Sequence, residues 1–226
     1  IVDRNVSGLS PYLHFGQISP VEVYRAAVEA DAPAAAKDSF VDELLVRREL
    51  AINFVHQTPD YDSFDAMPEW ARATLRAHEK DTREATYGRK ALESGETHDP
   101  YWNAAMREMR LTGYLHNHMR MYWGKRILAW SRKPQTAYAD AVYLNNKYLL
   151  DGRDANTYAN IGWLFGLHDR GWPEREVFGK VYEGEDWQNY LASESLSPLP
   201  MDEAQTRAYW ATQVATHRKL LSEIGG

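Results

Sequence analysis

Apolar positions recur at helical spacing through most of the first 180 residues, and nowhere do they alternate with polar ones over the length of a strand. The clearest stretch is SFVDELLVRRELAINFV, Ser39 to Val55. Phe40, Leu44, Ala51, Phe54 and Val55 fall near one face of a helix there, and Glu43 and Arg47, four apart, are spaced to pair. An earlier helix opens at Ser19-Pro20-Val21-Glu22, with a hydroxyl cap, Pro in the first position and an acid in the third, and reaches about Ala30. Asp31 to Ala36 reads as a small-residue connection, and Thr58 to Asp65 as a turn region. Pro68-Glu69-Trp70 starts a helix to about His78, and Asp81 to Thr97 is polar with Tyr87 its one large aromatic. Asp99-Pro100 caps a helix across Trp102 to Leu111, Gly113 interrupts it, and Tyr114 to Trp130 is a second long helical stretch. Trp123 and Trp130 are seven apart, so they share a face of that helix.

The densest polar stretch is AVYLNNKYLLDGRDANTYANIGWLFGLHDRGWPEREVFGK, residues 141 to 180. One helix runs to about Leu149, Asp151-Gly152-Arg153 makes a turn, and Asp154 caps a second helix across Tyr158 to Leu167. Amide, carboxylate and guanidinium groups thus meet beside apolar walls. Such a place suits a polar ligand with a flat apolar part, or a buried polar network that joins helices. Near the start, Ser7-Gly8-Leu9-Ser10-Pro11 puts two hydroxyls around a glycine ahead of an apolar run. Phosphate binding and ordinary helix capping both fit this segment. After Gly179 the character changes: an acidic YEGEDW, a Ser/Pro-rich linker over Ser193 to Pro200, and a polar helix over Glu203 to Ile224. The expected architecture is all-α, with a helical domain over 1–180 and a divergent linker and helix over 181–226.

Composition narrows the chemistry. With no cysteine among 226 residues, disulfides, thiolate metal sites and cysteine nucleophiles are excluded. No G-x-G-x-x-G, P-loop or H-E-x-x-H occurs, and His116 and His118 are two apart, which splays them on a helix, so no metal site is expected. A net charge of −6 gives no support for indiscriminate nucleic-acid binding, though it allows a local basic patch. No apolar run approaches the roughly 18 residues of a membrane span, no signal peptide opens the chain, and a soluble intracellular protein is expected. Ile1 to Arg4 contains no Met and leads straight into a motif, which suggests a piece of a longer chain. Eight Trp and 14 Tyr are an excess that needs an explanation.

Four stretches taken in order supply one. SGLSPYLHFGQISP, DELLVRRELAINF, DPYWNAAMREMRLTGYLHNHMRMYWGKRILAWS and LNNKYLLDGRDANTYANIGWLFGLHDRGWPEREVFGK together resemble the flavin-binding helical half of class II cyclobutane pyrimidine dimer photolyases, over roughly residues 5 to 180. SPYLHFGQIS marks the wider photolyase/cryptochrome superfamily, and RMYWGKRILAW with LNNKY and DGRD marks class II. The resemblance implies an all-α photolyase-type domain that holds FAD. Ser7, Gly8, Leu9 and Ser10 match the segment that holds the FAD phosphates, Asn145 the residue beside flavin N5, and Arg120 and Asp151 a pair flanking the isoalloxazine. Trp123, Trp102 and Trp130 match electron-transfer tryptophans, in that order from flavin toward the surface, with Tyr87 near the route. Glu43, Met121 and Trp163 match residues that meet a flipped-out pyrimidine dimer, and Arg170, Arg175 and Lys180 would meet DNA phosphates. The implied activity is light-driven dimer repair by electron transfer from reduced FAD, on UV-damaged DNA, in the cytoplasm at the nucleoid or, in a eukaryote, in the nucleus.

Three departures bear on that expectation. The α/β antenna domain that precedes this half in the family is absent from the sequence. Arg47 stands where some members carry Trp, although an Arg can still stack on a base or contact a phosphate. The acidic YEGEDW replaces a basic, aromatic continuation. The alternatives are a cryptochrome-like FAD photoreceptor, an incomplete photolyase without repair activity, and a helical scaffold that has lost FAD.

Overall fold

Side-chain caps open several of the helices in the computed structural model, which describes residues 6–168. The expectations on Arg170, Arg175, Lys180 and the segment 181–226 lie outside the described residues. The elements are α1 (Ser10–His14), α2 (Pro20–Glu29), α3 (Ala34–Val41), a π-helical segment (Asp42–Arg47), α4 (Arg48–Gln57), a 3₁₀ turn (Phe64–Ala66), α5 (Glu69–Ala77), α6 (Arg89–Ser94), α7 (Pro100–Thr112), α8 (Asn117–Trp130), α9 (Pro134–Tyr148) and α10 (Ala155–Leu164). No strand occurs among the described residues. The Ser19 hydroxyl accepts from Val21 N–H, Asp99 from Tyr101 and Trp102 N–H, and Asp154 from Asn156 N–H, as their positions before helical runs predict. Gly113 ends α7 in the left-handed region at φ 69°, where a side chain would be strained.

Sequence and structure part in several places. The helix expected from Ser39 begins at Ala34, because Pro33 leads into a run of three alanines, the strongest helix formers. Asp42–Arg47 then winds as a π segment, so Arg47 reaches Asp42, five residues back, at 3.0 Å instead of pairing with Glu43. α6 lies within the polar stretch whose pattern predicts no helix. α8 starts at Asn117 rather than Tyr114, and α10 ends at Leu164, where Gly166 at φ 101° turns the chain.

The core is built from α7, α8 and α9: Trp102, Met106 and Met109, then Trp123, Ile127 and Trp130, then Tyr138, Ala141 and Leu144 are all buried. α8 packs against both α7 and α9, and α10 packs against α4, α8 and α9. Gly124 permits the α8–α10 approach, since a Cβ there would overlap the Leu164 side chain. Gly152 does the same after α9, where a Cβ would lie 2.8 Å from Asn145 O and 2.9 Å from Leu149 O.

α8 starts on an acid-sensitive cap. The buried His116 accepts from His118 N–H through Nδ1 at 3.3 Å, which needs a neutral ring. Burial, reinforced by the charges of His118 and Arg120, pushes the His116 pKa below its ordinary 6.5. The stability it contributes is therefore present above the unfolded value and lost as pH falls through the lowered one. Urea midpoints measured across this range should drop on acidification, and less so in His116→Asn, which caps at any pH.

Candidate functional site

The turn between α9 and α10 gathers the polar groups that the sequence singled out. Asp151 follows α9 and forms an ion pair with Arg120 of α8, Nη2 to Oδ2 at 2.9 Å. Arg120 Nε also donates to Leu115 O at 2.8 Å, which fixes the guanidinium plane. Thr157 Oγ1 donates to Asp151 O at 3.3 Å and accepts from Asn145 Nδ2 at 3.1 Å. Arg120, Asp151, Thr157 and Asn145 are thus one connected network, and Asn145 is only 4% exposed. Asn146, next along α9, accepts from Arg153 N–H at 2.9 Å and donates to Tyr158 Oη at 3.2 Å, so it shapes the turn rather than the network.

His14, the last residue of α1, meets Asp154 at 3.2 Å, Nδ1 to Oδ2. That contact ties the Ser7–Ser10 segment to the turn across 140 residues. Ser7 and Ser10 are exposed, and Leu9 N–H donates to Ser7 Oγ at 3.4 Å. Gly8 stands at φ 67° with open space where a Cβ would be, so its role is conformational rather than steric. His14, Asp154 and Thr157 are the members that the sequence reading missed as site residues. Asp154 carried a cap signal; His14 and Thr157 carried none.

The residues present fit a flavin. Asp151 Oδ1 is buried and has no hydrogen-bond partner among the described residues. An unpaired buried carboxylate oxygen is costly unless a ligand donor meets it. The flavin ring carries both an imide N–H and carbonyl oxygens, which complement the Asp151 acceptor and the Arg120 and Asn145 donors. Exposed hydroxyls and a left-handed glycine at the start of α1 suit a phosphate segment.

The aromatic residues form a second feature. The Trp102 and Trp123 rings are nearly parallel, 5° apart in plane, at 6.5 Å between centroids, and Trp102 Nε1 donates to Trp123 O at 3.0 Å. Trp130 lies 5.5 Å from Trp102, edge to face, and Tyr87 lies 5.3 Å from Trp130. The spatial order is therefore Trp123, Trp102, Trp130, Tyr87. Trp130 is 1% exposed, yet it borders a solvent-open cleft of about 330 Å³ together with Tyr87, Arg132 and Lys133.

Glu43, Met121 and Trp163 sit on three different elements. Glu43 is exposed on the π segment, which runs on into α4; Met121 is half-buried on α8; both α4 and α8 pack against α10, which carries Trp163. Trp163 is 47% exposed and borders an apolar groove of about 190 Å³ with Trp70, Leu75 and Phe165. Arg47 is exposed and held by Asp42, whose hydrogen bond raises the guanidinium pKa. Among the described residues no helix is long and apolar enough to cross a membrane.

Comparison with known proteins gives the family of the chain. A family described as the FAD binding domain of DNA photolyase matches residues 40–190. The chain is 54% identical over 181 residues to a deoxyribodipyrimidine photo-lyase of Methanothermobacter thermautotrophicus, covering 80% of this chain and 40% of the relative. It is 51% identical over 184 residues to one of Oryza sativa (79% and 36%), and 46% identical over 190 residues to one of Potorous tridactylus (79% and 35%). It therefore spans well under half the length of these relatives. A bacterial class III photolyase from Agrobacterium tumefaciens shares the fold, with a TM-score of 0.56 at 21% identity over 96% of this chain and 51% of that one. The chain belongs to the family of FAD-binding domains of DNA photolyases.

Proposed function

We propose that this chain is the C-terminal, flavin- and lesion-binding part of a class II cyclobutane pyrimidine dimer photolyase. The observation that carries the reading is the unpaired, buried Asp151 Oδ1 beside the Arg120–Asp151 pair, set in a chain about half identical to proteins named deoxyribodipyrimidine photo-lyase. FAD, when bound, supplies the light-absorbing, one-electron chemistry. Arg120 and Asp151 hold its ring by a fixed charge pair, Asn145 is positioned through Thr157 to donate to it, and Ser7 to Ser10 hold its phosphates.

On the substrate side, Glu43 hydrogen-bonds the edge of a pyrimidine dimer flipped out of the duplex, and Trp163 and Met121 supply apolar contact. Flipping is needed because a reacting base inside the stack is out of reach of a buried cofactor. Arg47, Arg170, Arg175 and Lys180 contact DNA phosphates. Trp123, Trp102 and Trp130 pass electrons inward when the cofactor is to be reduced. An N-terminal antenna domain, on the same or another chain, belongs to this reading, as does action at the nucleoid or in a nucleus.

A photoreceptor without repair is the second reading, favoured by Arg47, which stands where some members carry Trp and leaves no flat aromatic at that place. The two readings separate on one assay. The FAD-loaded, chemically reduced chain is mixed with a UV-irradiated oligonucleotide and illuminated with blue light. Loss of dimers, dependent on light and on Glu43, is the expected result. Bound flavin with dimers untouched would move the assignment to the photoreceptor.

A further inference from the structure

We propose that His14 and Asp154 form a clasp that sets the Ser7–Ser10 segment against the turn between α9 and α10, and that this clasp makes the site hold the dinucleotide FAD more tightly than riboflavin. The inference rests on the reading of Ser7 to Ser10 as the phosphate segment and of Arg120, Asp151 and Asn145 as the ring site. It concerns what joins the two.

The phosphate segment has little else to hold it. α1 buries none of its five residues, and Tyr12 within it and Phe15 just after it are exposed. Its backbone hydrogen bonds stay local: Leu13 N–H donates to Leu9 O, Phe15 N–H to Pro11 O, Gly16 N–H to Leu13 O and Gln17 N–H to Tyr12 O. Gly8 and Gly16 bracket the helix at φ 67° and 66°, so the chain turns sharply at both ends. Among the described residues, the one hydrogen bond that leaves residues 7–18 is His14 Nδ1 to Asp154 Oδ2, at 3.2 Å.

Asp154 is the fixed end of the clasp. Its Oδ1 accepts from Asn156 N–H at 3.0 Å and from Asn156 Nδ2 at 2.9 Å, as the cap of α10. The carboxylate plane is therefore set by α10, and Oδ2 is left for the imidazole. An ionised carboxylate only accepts, so His14 Nδ1 carries the proton and donates it. The two side chains are 16% and 23% exposed, a setting in which a hydrogen bond to a carboxylate is stronger than in open water. Three residues before Asp154 stands Asp151, whose carboxylate meets Arg120 and whose carbonyl accepts from Thr157. A continuous path thus runs from the phosphate segment through His14 and Asp154 to Asp151 and Arg120.

That path decides which flavin the site prefers. A ligand that touches both ends gains fully from both only when their separation is fixed before it binds; otherwise the cost of ordering α1 is subtracted from its affinity. FAD has a ring for one end and phosphates for the other. Riboflavin has the same ring and no phosphate, so it gains nothing from where α1 stands. Cutting the clasp therefore weakens FAD and leaves riboflavin as it was. His14 and Asp154 are positioning residues in this scheme: they act through Ser7 to Ser10.

Fluorescence titrations with FAD and with riboflavin test this on the unsubstituted chain, His14→Ala, Asp154→Ser and the double variant. Serine keeps a cap for α10 and removes the oxygen that meets His14. Each single variant should lose roughly tenfold in FAD affinity, the scale of one hydrogen bond to a charged group, with riboflavin affinity unchanged. The double variant should lose no more than the weaker-binding single one, because both remove the same contact. The urea midpoint of FAD-free His14→Ala should match that of the unsubstituted chain, since α1 buries nothing that the clasp protects. Unchanged FAD affinity in His14→Ala would overturn the proposal and leave the ring site standing. Equal losses for FAD and riboflavin would overturn it too, by showing a general structural role. Failure of the unsubstituted chain to bind either flavin would overturn the ring site itself, and this inference with it.

Discussion

Trp102→Phe is expected to stop light-driven reduction of the bound flavin while leaving light-driven repair by the chemically reduced chain intact. Trp102 is fully buried, lies parallel to Trp123 and edge-on to Trp130, and bridges the two. A phenyl ring fills most of the same volume, but it is far harder to oxidise than an indole and cannot hold the hole in transit. The rate of photoreduction should fall by roughly a hundredfold or more, equivalent to about 2.7 kcal/mol in the barrier. The structural effect is modest by comparison, because the lost Nε1–H bond goes to a helical carbonyl, Trp123 O. The check is flavin absorption under continuous light with an external reductant. Trp70→Phe, at a 40% exposed position on α5, is the control and should reduce at the normal rate. Equal rates in all three chains would remove Trp102 from the route.

The second large effect is at Asp151. Asp151→Ala removes both the partner of Arg120 and the unpaired Oδ1. It leaves a guanidinium that is 27% exposed in its side chain without its carboxylate, facing the place assigned to the ring. FAD affinity should fall about a hundredfold, equivalent to about 2.7 kcal/mol, as read by titration of flavin fluorescence. Asp151→Asn keeps the shape and an acceptor oxygen but not the charge, so it should lose less. Thr157 also bonds the Asp151 carbonyl, which neither substitution changes, so the turn itself should persist.

Much of the fold was legible because its helix starts are written in single residues. Ser19, Asp99 and Asp154 each precede a helical run and each caps it. The π segment was not legible: a shift of backbone hydrogen bonds by one residue leaves no periodic trace, and it turned an expected Glu43–Arg47 pair into Asp42–Arg47. α6 was lost for a related reason, since its six mostly polar residues carry no apolar stripe. The site was legible in part. The run from Asn145 to Asp154 announced a polar turn between helices, but the Arg120–Asp151 pairing came from the resemblance, and His14–Asp154 spans 140 residues with no local sign. Trp123 and Trp130 share a helix face by spacing alone. That Trp102 lies between them, and that Tyr87 and His98 stack beyond, depends on how α7 and the 81–97 stretch pack onto α8, which spacing does not reveal.

The most direct measurement is FAD retention by the chain itself. The chain is incubated with excess FAD, separated from free cofactor by gel filtration, and read for flavin-to-protein ratio by absorption. One flavin per chain, lost in Asp151→Ala, is the predicted result. A chain that emerges colourless despite excess FAD would contradict the assignment of the Arg120–Asp151–Asn145 network as the flavin site.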